Sequence, residues 1–116
     1  MNTSSDVCAR NLLAMRDTLD LLGGKWRLQI LHYLTVNENE KNTFKKIERG
    51  INGISAKVLS NELKDLEQNQ LITREVIPGK PIMVEYSITE YGKTTNEIIQ
   101  KLVEWGINHR KRILDK

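Results

Sequence analysis

The stretch TFKKIERGINGISAKVLSNELKDLEQNQ, residues 43–70, decides the fold. Thr43 suits a helix N-cap because its hydroxyl accepts a backbone N–H left over in the first turn, and Phe44 and Ile47 anchor a short helix running to about Arg49. Gly50 and Gly53 bracket the turn GINGIS, and Ser55 caps a longer helix that reaches about Asn69. On that helix Leu59, Leu63 and Leu66 share one face with Val58 beside them, while Lys57, Asn61, Lys64 and Gln68 lie opposite. One side is made for a core and the other is basic and polar.

Toward the C-terminus the period changes. Ile72, Arg74 and Val76 alternate with Thr73 and Glu75, and Val84, Tyr86 and Ile88 alternate with Glu85 and Ser87, which predicts two strands. PGKP, Pro78 to Pro81, sets a turn between them through two restrained φ angles and one permissive glycine, leaving Lys80 near the tip of a hairpin. Thr89 then caps one long final helix over residues 90–113, with Ile98, Leu102, Trp105 and Ile113 in its stripe and Ile99 and Val103 widening it. Toward the N-terminus, Leu12, Met15, Leu19 and Leu22 recur at three and four residues and predict a helix over residues 7–22, ended by Gly23 and Gly24. A second helix from about Lys25 to Leu34 buries Trp26, Ile30, Leu31 and Leu34, and Thr35 to Asn42 reads as an exposed connection.

Short helix, glycine-containing turn, longer helix and hairpin, in that order, make a winged helix-turn-helix. The expected class is mainly α (α+β): a single domain over residues 1–116, with the helix-turn-helix at 43–70 and the two-stranded β-wing at 72–88. Hydrophobic residues at 39% and charged residues at 28% suit a globular protein, and no apolar run approaches the roughly 20 residues of a membrane span. The N-terminal residues carry no secretory pattern, and the one cysteine, Cys8, fits a reducing compartment, so a cytoplasmic location is expected.

The net charge of +3 matters less than where it sits. From Lys41 to Lys64 six basic residues (Lys41, Lys45, Lys46, Arg49, Lys57, Lys64) face two acidic ones (Glu48, Glu62), while residues 1–40 hold four basic and five acidic residues. A localised positive face suits a polyanion such as DNA. The second helix of such a motif enters the major groove with its N-terminal residues nearest the bases, which here are Ser55, Ala56, Lys57, Ser60 and Asn61, with Lys64 one turn on. Lys45, Lys46 and Lys80 are better placed for phosphates. Any one of these lysines taken alone reads equally as a solubilising side chain; it is their combination with the turn, the opposite apolar face and the hairpin that points to DNA. The final helix, with Ile98, Leu102 and Trp105 on one face, carries more apolar surface than a small monomer needs, so a second subunit is expected over it; the alternative is packing on its own domain alone.

GGKW (Gly23 to Trp26) followed by ILHYL, then Phe44 and Ile47, GISAKVLSNELKDLE (Gly53 to Glu67), Leu71-Ile72 with Arg74, and VEYSITEYG (Val84 to Gly92) resemble the HxlR-type winged-helix regulators, relatives of the MarR group, over residues 19–105. The resemblance implies a homodimeric bacterial transcription regulator binding double-stranded DNA, whose first and last helices pack against their partners. On that reading Leu12, Leu19, Ile98, Leu102 and Trp105 are dimerisation residues. It also implies groove contacts from the helix beginning at Ser55 and flanking contacts from the hairpin.

Three departures from the family pattern stand out. Gln70 occupies a position usually held by glycine, and Thr43 one often held by a basic residue. Some members sense oxidants through a cysteine about ten residues before the paired glycines, but that spacing falls here on Leu13, and Cys8 lies fifteen residues before Gly23. Cys8 is therefore a candidate redox sensor with only Arg10 nearby to favour its thiolate, against the alternative of an incidental thiol.

His32 is expected to be partly buried and His109 exposed, and with Cys8 they make no zinc spacing. No catalytic motif appears, so neither enzyme activity nor a cofactor or metal is expected, and no polar cluster marks a small-molecule effector site. Two functions remain: a sequence-specific DNA-binding regulator, and a winged-helix module for protein contact whose positive face is incidental.

Overall fold

The computed structural model describes residues 4–115, so the two ends of the expected 1–116 domain lie outside the described residues. The elements follow as α1 (Ser4–Leu22), α2 (Arg27–Val36), α3 (Phe44–Gly50), α4 (Ala56–Gln68), β1 (Ile72–Ile77), β2 (Met83–Ile88), α5 (Glu90–Lys93) and α6 (Asn96–Leu114). The core is the meeting of α2, α3, α4 and the base of the hairpin: Ile30, Leu31, Leu34, Ile47, Leu59, Leu63, Leu66, Leu71 and Ile72 are all sealed from solvent. Trp26 only packs against the edge of this core and precedes α2, which starts two residues later than expected because Gly24, at φ 87°, still turns the chain. His32 is exposed rather than partly buried, since Ile30, Leu31 and Leu34 already fill the inward face of α2.

The connection before α3 is not wholly exposed. Asn42 is buried: its side-chain NH2 donates to the Asn37 backbone carbonyl at 2.9 Å, and the Asn42 backbone carbonyl accepts the Tyr86 N–H at 2.9 Å. The chain thereby lies along β2, extended by a bridge between Thr43 and Glu85. Thr43 also caps α3, accepting from the Lys46 N–H at 3.3 Å.

Two devices join the helix-turn-helix to the wing. At the end of α4 the Leu71 N–H reaches back to the Leu66 carbonyl and the Gln70 N–H to the Glu67 carbonyl, each at 3.0 Å, which is the Schellman pattern. Gln70 holds the left-handed conformation that pattern requires, at φ 67°, in spite of its Cβ. Past β2, the Thr89 hydroxyl donates to the Gln70 carbonyl at 2.8 Å and accepts the Gly92 N–H at 2.8 Å, so one side chain caps α5 and pins it to the end of α4. Gly92 is buried, and a Cβ there would collide with the Leu71 carbonyl and the Ile88 side chain.

The final helix is not continuous over residues 90–113. After α5 the N–H groups of Thr94 and Thr95 bond three residues back, to Tyr91 and Gly92, and the Thr95 hydroxyl adds a bond to the Gly92 carbonyl at 2.7 Å. Hydroxyls competing for those carbonyls tighten the turn before α6 begins. Glu38 and Glu90, both hydrogen-bonded to Lys93, hold its ammonium group charged above the ordinary lysine value and tie α5 to the loop after α2.

Outside this head the long helices project as arms. Only Leu22 of α1 and Ile99 of α6 are buried. The radius of gyration is 17.3 Å, against about 13 Å for a compact domain of this length.

Candidate nucleic-acid interface

α4 is set rigidly into the head. Ser55 caps it, accepting the Val58 N–H at 3.2 Å, and Leu59, Leu63 and Leu66 lock its inner face. Arg27 of α2 grips it from the side: Nε donates to Glu62 at 3.1 Å, one terminal nitrogen to Asp65 at 2.7 Å, and the other to the Leu21 carbonyl at the end of α1 at 2.8 Å. The guanidinium thus ties three helices together and also neutralises two of the carboxylates of α4. Ala56, Lys57, Ser60, Asn61 and Lys64 are exposed along the helix, with Glu67 and Gln68 exposed at its C-terminal end. Spacings of three, four and seven residues put Lys57, Ser60, Asn61 and Lys64 on one outer face, and these side chains carry the hydrogen-bonding groups that read base edges.

The remaining expected contacts stand on other elements. Lys45 projects from α3, with a loose pair to Glu48 at 3.6 Å that solvent makes weak. Lys46 is half-covered and paired with Glu40, so a phosphate there must displace a carboxylate. Lys80 is exposed at the tip of the hairpin, next to Gly79. The apolar residues expected at a subunit contact are uncovered: Leu12 is 49% exposed, Leu19 62%, Leu102 53% and Trp105 68%, with Ile98 at 39%. Trp105 stacks on His109 with ring centres 4.9 Å apart, and Cys8 is exposed on α1.

Two residues escape the sequence reading. One is Arg27, whose partners Glu62 and Asp65 are visible in advance only as a carboxylate pair three apart on α4. The other is Arg74, placed by strand alternation but not assigned a surface; it lines a groove between α4 and the wing with Ser60, Lys64, Glu67 and Tyr86. No helix among the described residues is long and apolar enough to cross a membrane.

Residues 21–113 match the family described as HxlR-like helix-turn-helix. The chain is 40% identical to an uncharacterized HTH-type transcriptional regulator of Halalkalibacterium halodurans, over 80% of each chain. Among solved structures it is similar to the HTH-type transcriptional regulator YtcD, known in Bacillus subtilis and uncharacterized, with a TM-score of 0.76, 35% identity, and coverage of 84% of this chain and 96% of that one. It is also similar to the reduced form of the transcriptional regulator YodB from B. subtilis, with a TM-score of 0.64, 32% identity, and coverage of 90% and 91%. The family match runs from the end of α1 through the head and nearly all of α6, and the chain belongs to the HxlR-like helix-turn-helix family of transcriptional regulators.

Proposed function

We propose that this regulator binds double-stranded DNA as a homodimer and recognises an inverted-repeat operator, acting in the cytoplasm. The observation that carries the reading is α4 itself, sealed on one side by three leucines and presenting Lys57, Ser60, Asn61 and Lys64 on the other, with Glu62 and Asp65, two of its three acids, drawn toward Arg27. Ser55, Lys57, Ser60 and Asn61 meet the major groove with Lys64 one turn on at its edge, while Lys45, Lys46 and Lys80 hold phosphates on either side. Residues 4–115 act as one unit, with residues 43–70 and 72–88 as the DNA-binding part.

The uncovered apolar residues of α1 and α6 form the subunit contact. A two-fold axis there puts two copies of α4 on one face of the duplex, with half-site centres roughly 34 Å or a multiple apart. Cys8 lies one helical turn from Leu12, where an oxidised thiol would act on this contact, the alternative being an incidental thiol; if Cys8→Ser binds and releases DNA as wild type does under diamide, control through Cys8 is excluded.

Titration of labelled duplex by fluorescence anisotropy at rising salt tests the reading. Affinity falls with a log–log slope of about −0.9 per phosphate neutralised. Lys57→Ala flattens preference among sequences, whereas Lys80→Ala weakens all duplexes alike. Absence of duplex binding at low salt favours a protein-contact module instead.

A further inference from the structure

We propose that Arg74, with Lys64 and the hydroxyl of Tyr86, seats one DNA backbone phosphate in the groove between α4 and the wing. The proposal rests on the reading that α4 meets duplex DNA, and adds a contact that neither the charge pattern nor the hairpin tip indicates.

The strand register sets it up. Ile72 faces Ile88, Arg74 faces Tyr86 and Val76 faces Val84 across the hairpin, and paired residues share one side of the sheet. Ile72 and Ile88 are buried, so this side is the one turned toward the head, and Arg74 with Tyr86 is the next pair outward. There they meet Ser60, Lys64 and Glu67 of α4. Among the described residues, Arg74, Lys64 and the Tyr86 hydroxyl make no hydrogen bond or ion pair with any side chain, although Glu67 lines the same groove. Two cations and one carboxylate leave the groove net positive and its donors unspent.

The other side of the wing has the opposite character. Glu75 stands directly across from Glu85 there, a like-charged pair that repels phosphates. A strand of DNA passing the wing is therefore directed to the Arg74 side. Geometry agrees: with α4 in a major groove about 12 Å wide and the wing beside it, the phosphates bordering that groove run between the two. A guanidinium is suited to the place because its planar fork donates two parallel hydrogen bonds to one phosphate.

Anisotropy of a fluorescein-labelled duplex of mixed sequence, titrated between about 50 and 200 mM KCl, tests the seat. Arg74→Ala is expected to weaken binding about 10-fold at low salt and to lower the log–log slope by about 0.9 per phosphate lost, with preference among sequences unchanged. Arg74→Lys restores the slope but only part of the affinity, because charge returns without the fork. Tyr86→Phe keeps the slope and binds about 3-fold more weakly, the loss of one hydrogen bond. If the wild-type protein binds the duplex and Arg74→Ala matches it in affinity and slope, the seat does not exist and the DNA reading stands. Failure of Arg74→Lys to recover the slope also overturns it, since the effect is then not one of charge. If the wild type binds no duplex at the lowest salt, the DNA reading itself fails and takes the seat with it.

Discussion

α4 and α1 carry the same kind of leucine stripe and meet opposite fates. Leu59, Leu63 and Leu66 of α4 are at most 1% exposed, whereas Leu12, Met15 and Leu19 of α1 are between 49% and 62% exposed. Spacing at three and four residues shows only that a helix has an apolar side, not which surface will cover it. In α4 the cover is the chain's own core, and the stripe fixes the outward face proposed to read DNA. In α1, as in α6, the described residues cover little beyond Leu22 and Ile99, and the proposed second subunit covers the rest. The molecule divides accordingly into a head with a sealed core and arms whose apolar stripes are uncovered, which the proposed assembly would complete.

Substitutions in the two stripes should therefore be felt in different measurements. The largest effect is expected in the head: Leu63→Ala leaves a cavity among sealed side chains and costs about 2–5 kcal/mol, read as a lower denaturation midpoint. Leu19→Ala, the same change on α1, should leave the folding of the head nearly untouched; a loss comparable to Leu63→Ala erases the distinction between the stripes. Next comes the arm contact. Trp105→Ala removes the largest exposed apolar side chain of α6, and a central aromatic at a subunit contact is worth about 2–4 kcal/mol, enough to turn a micromolar dimer into monomer in light scattering. A wild-type monomer at that concentration leaves the arms uncovered and breaks the account of them.

Arg27→Ala sharpens the comparison, because Arg27 is where head and arm touch. Its loss leaves Glu62 and Asp65 without their cation and the Leu21 carbonyl without a donor, expected to cost about 1.5–3 kcal/mol for the charged hydrogen bonds. It should also loosen α4 relative to α1, weakening DNA binding beyond what the stability loss explains; an effect on stability alone makes Arg27 merely a brace. The smallest effect is a gain. Gln70→Gly removes a Cβ from a left-handed position while keeping the Schellman bonds, and should raise stability by about 1 kcal/mol in a thermal melt. No gain there means that the glutamine side chain compensates by contacts of its own.

Arg27 and Gln70 also show what a sequence hides beside what it reveals. The helix-turn-helix and wing are legible because their signals are local: hydroxyl caps at Thr43 and Ser55, alternation after residue 71, and a turn between two prolines. The special conformation at Gln70 is hidden because its usual mark is glycine. Arg27 is hidden because its partners lie 35 and 38 residues away. Asn42 looks like any polar loop residue until β2 arrives beside it, and the break before α6 depends on threonine hydroxyls that also fit an unbroken helix. Of the site, the outward face of α4 could be read from helical spacing. Arg74 could not be placed, since alternation tells which side of a strand a residue takes but not what stands opposite.

Selection from a pool of random duplexes, with the wild-type protein and sequencing of the retained fraction, tests most directly the claim that two copies of α4 read DNA together. Enrichment of an inverted repeat whose half-site centres are roughly 34 Å or a multiple apart is the expected result. Retention of a single unrepeated half-site contradicts the dimer, and retention of no sequence over any other at low salt contradicts sequence recognition by α4 itself.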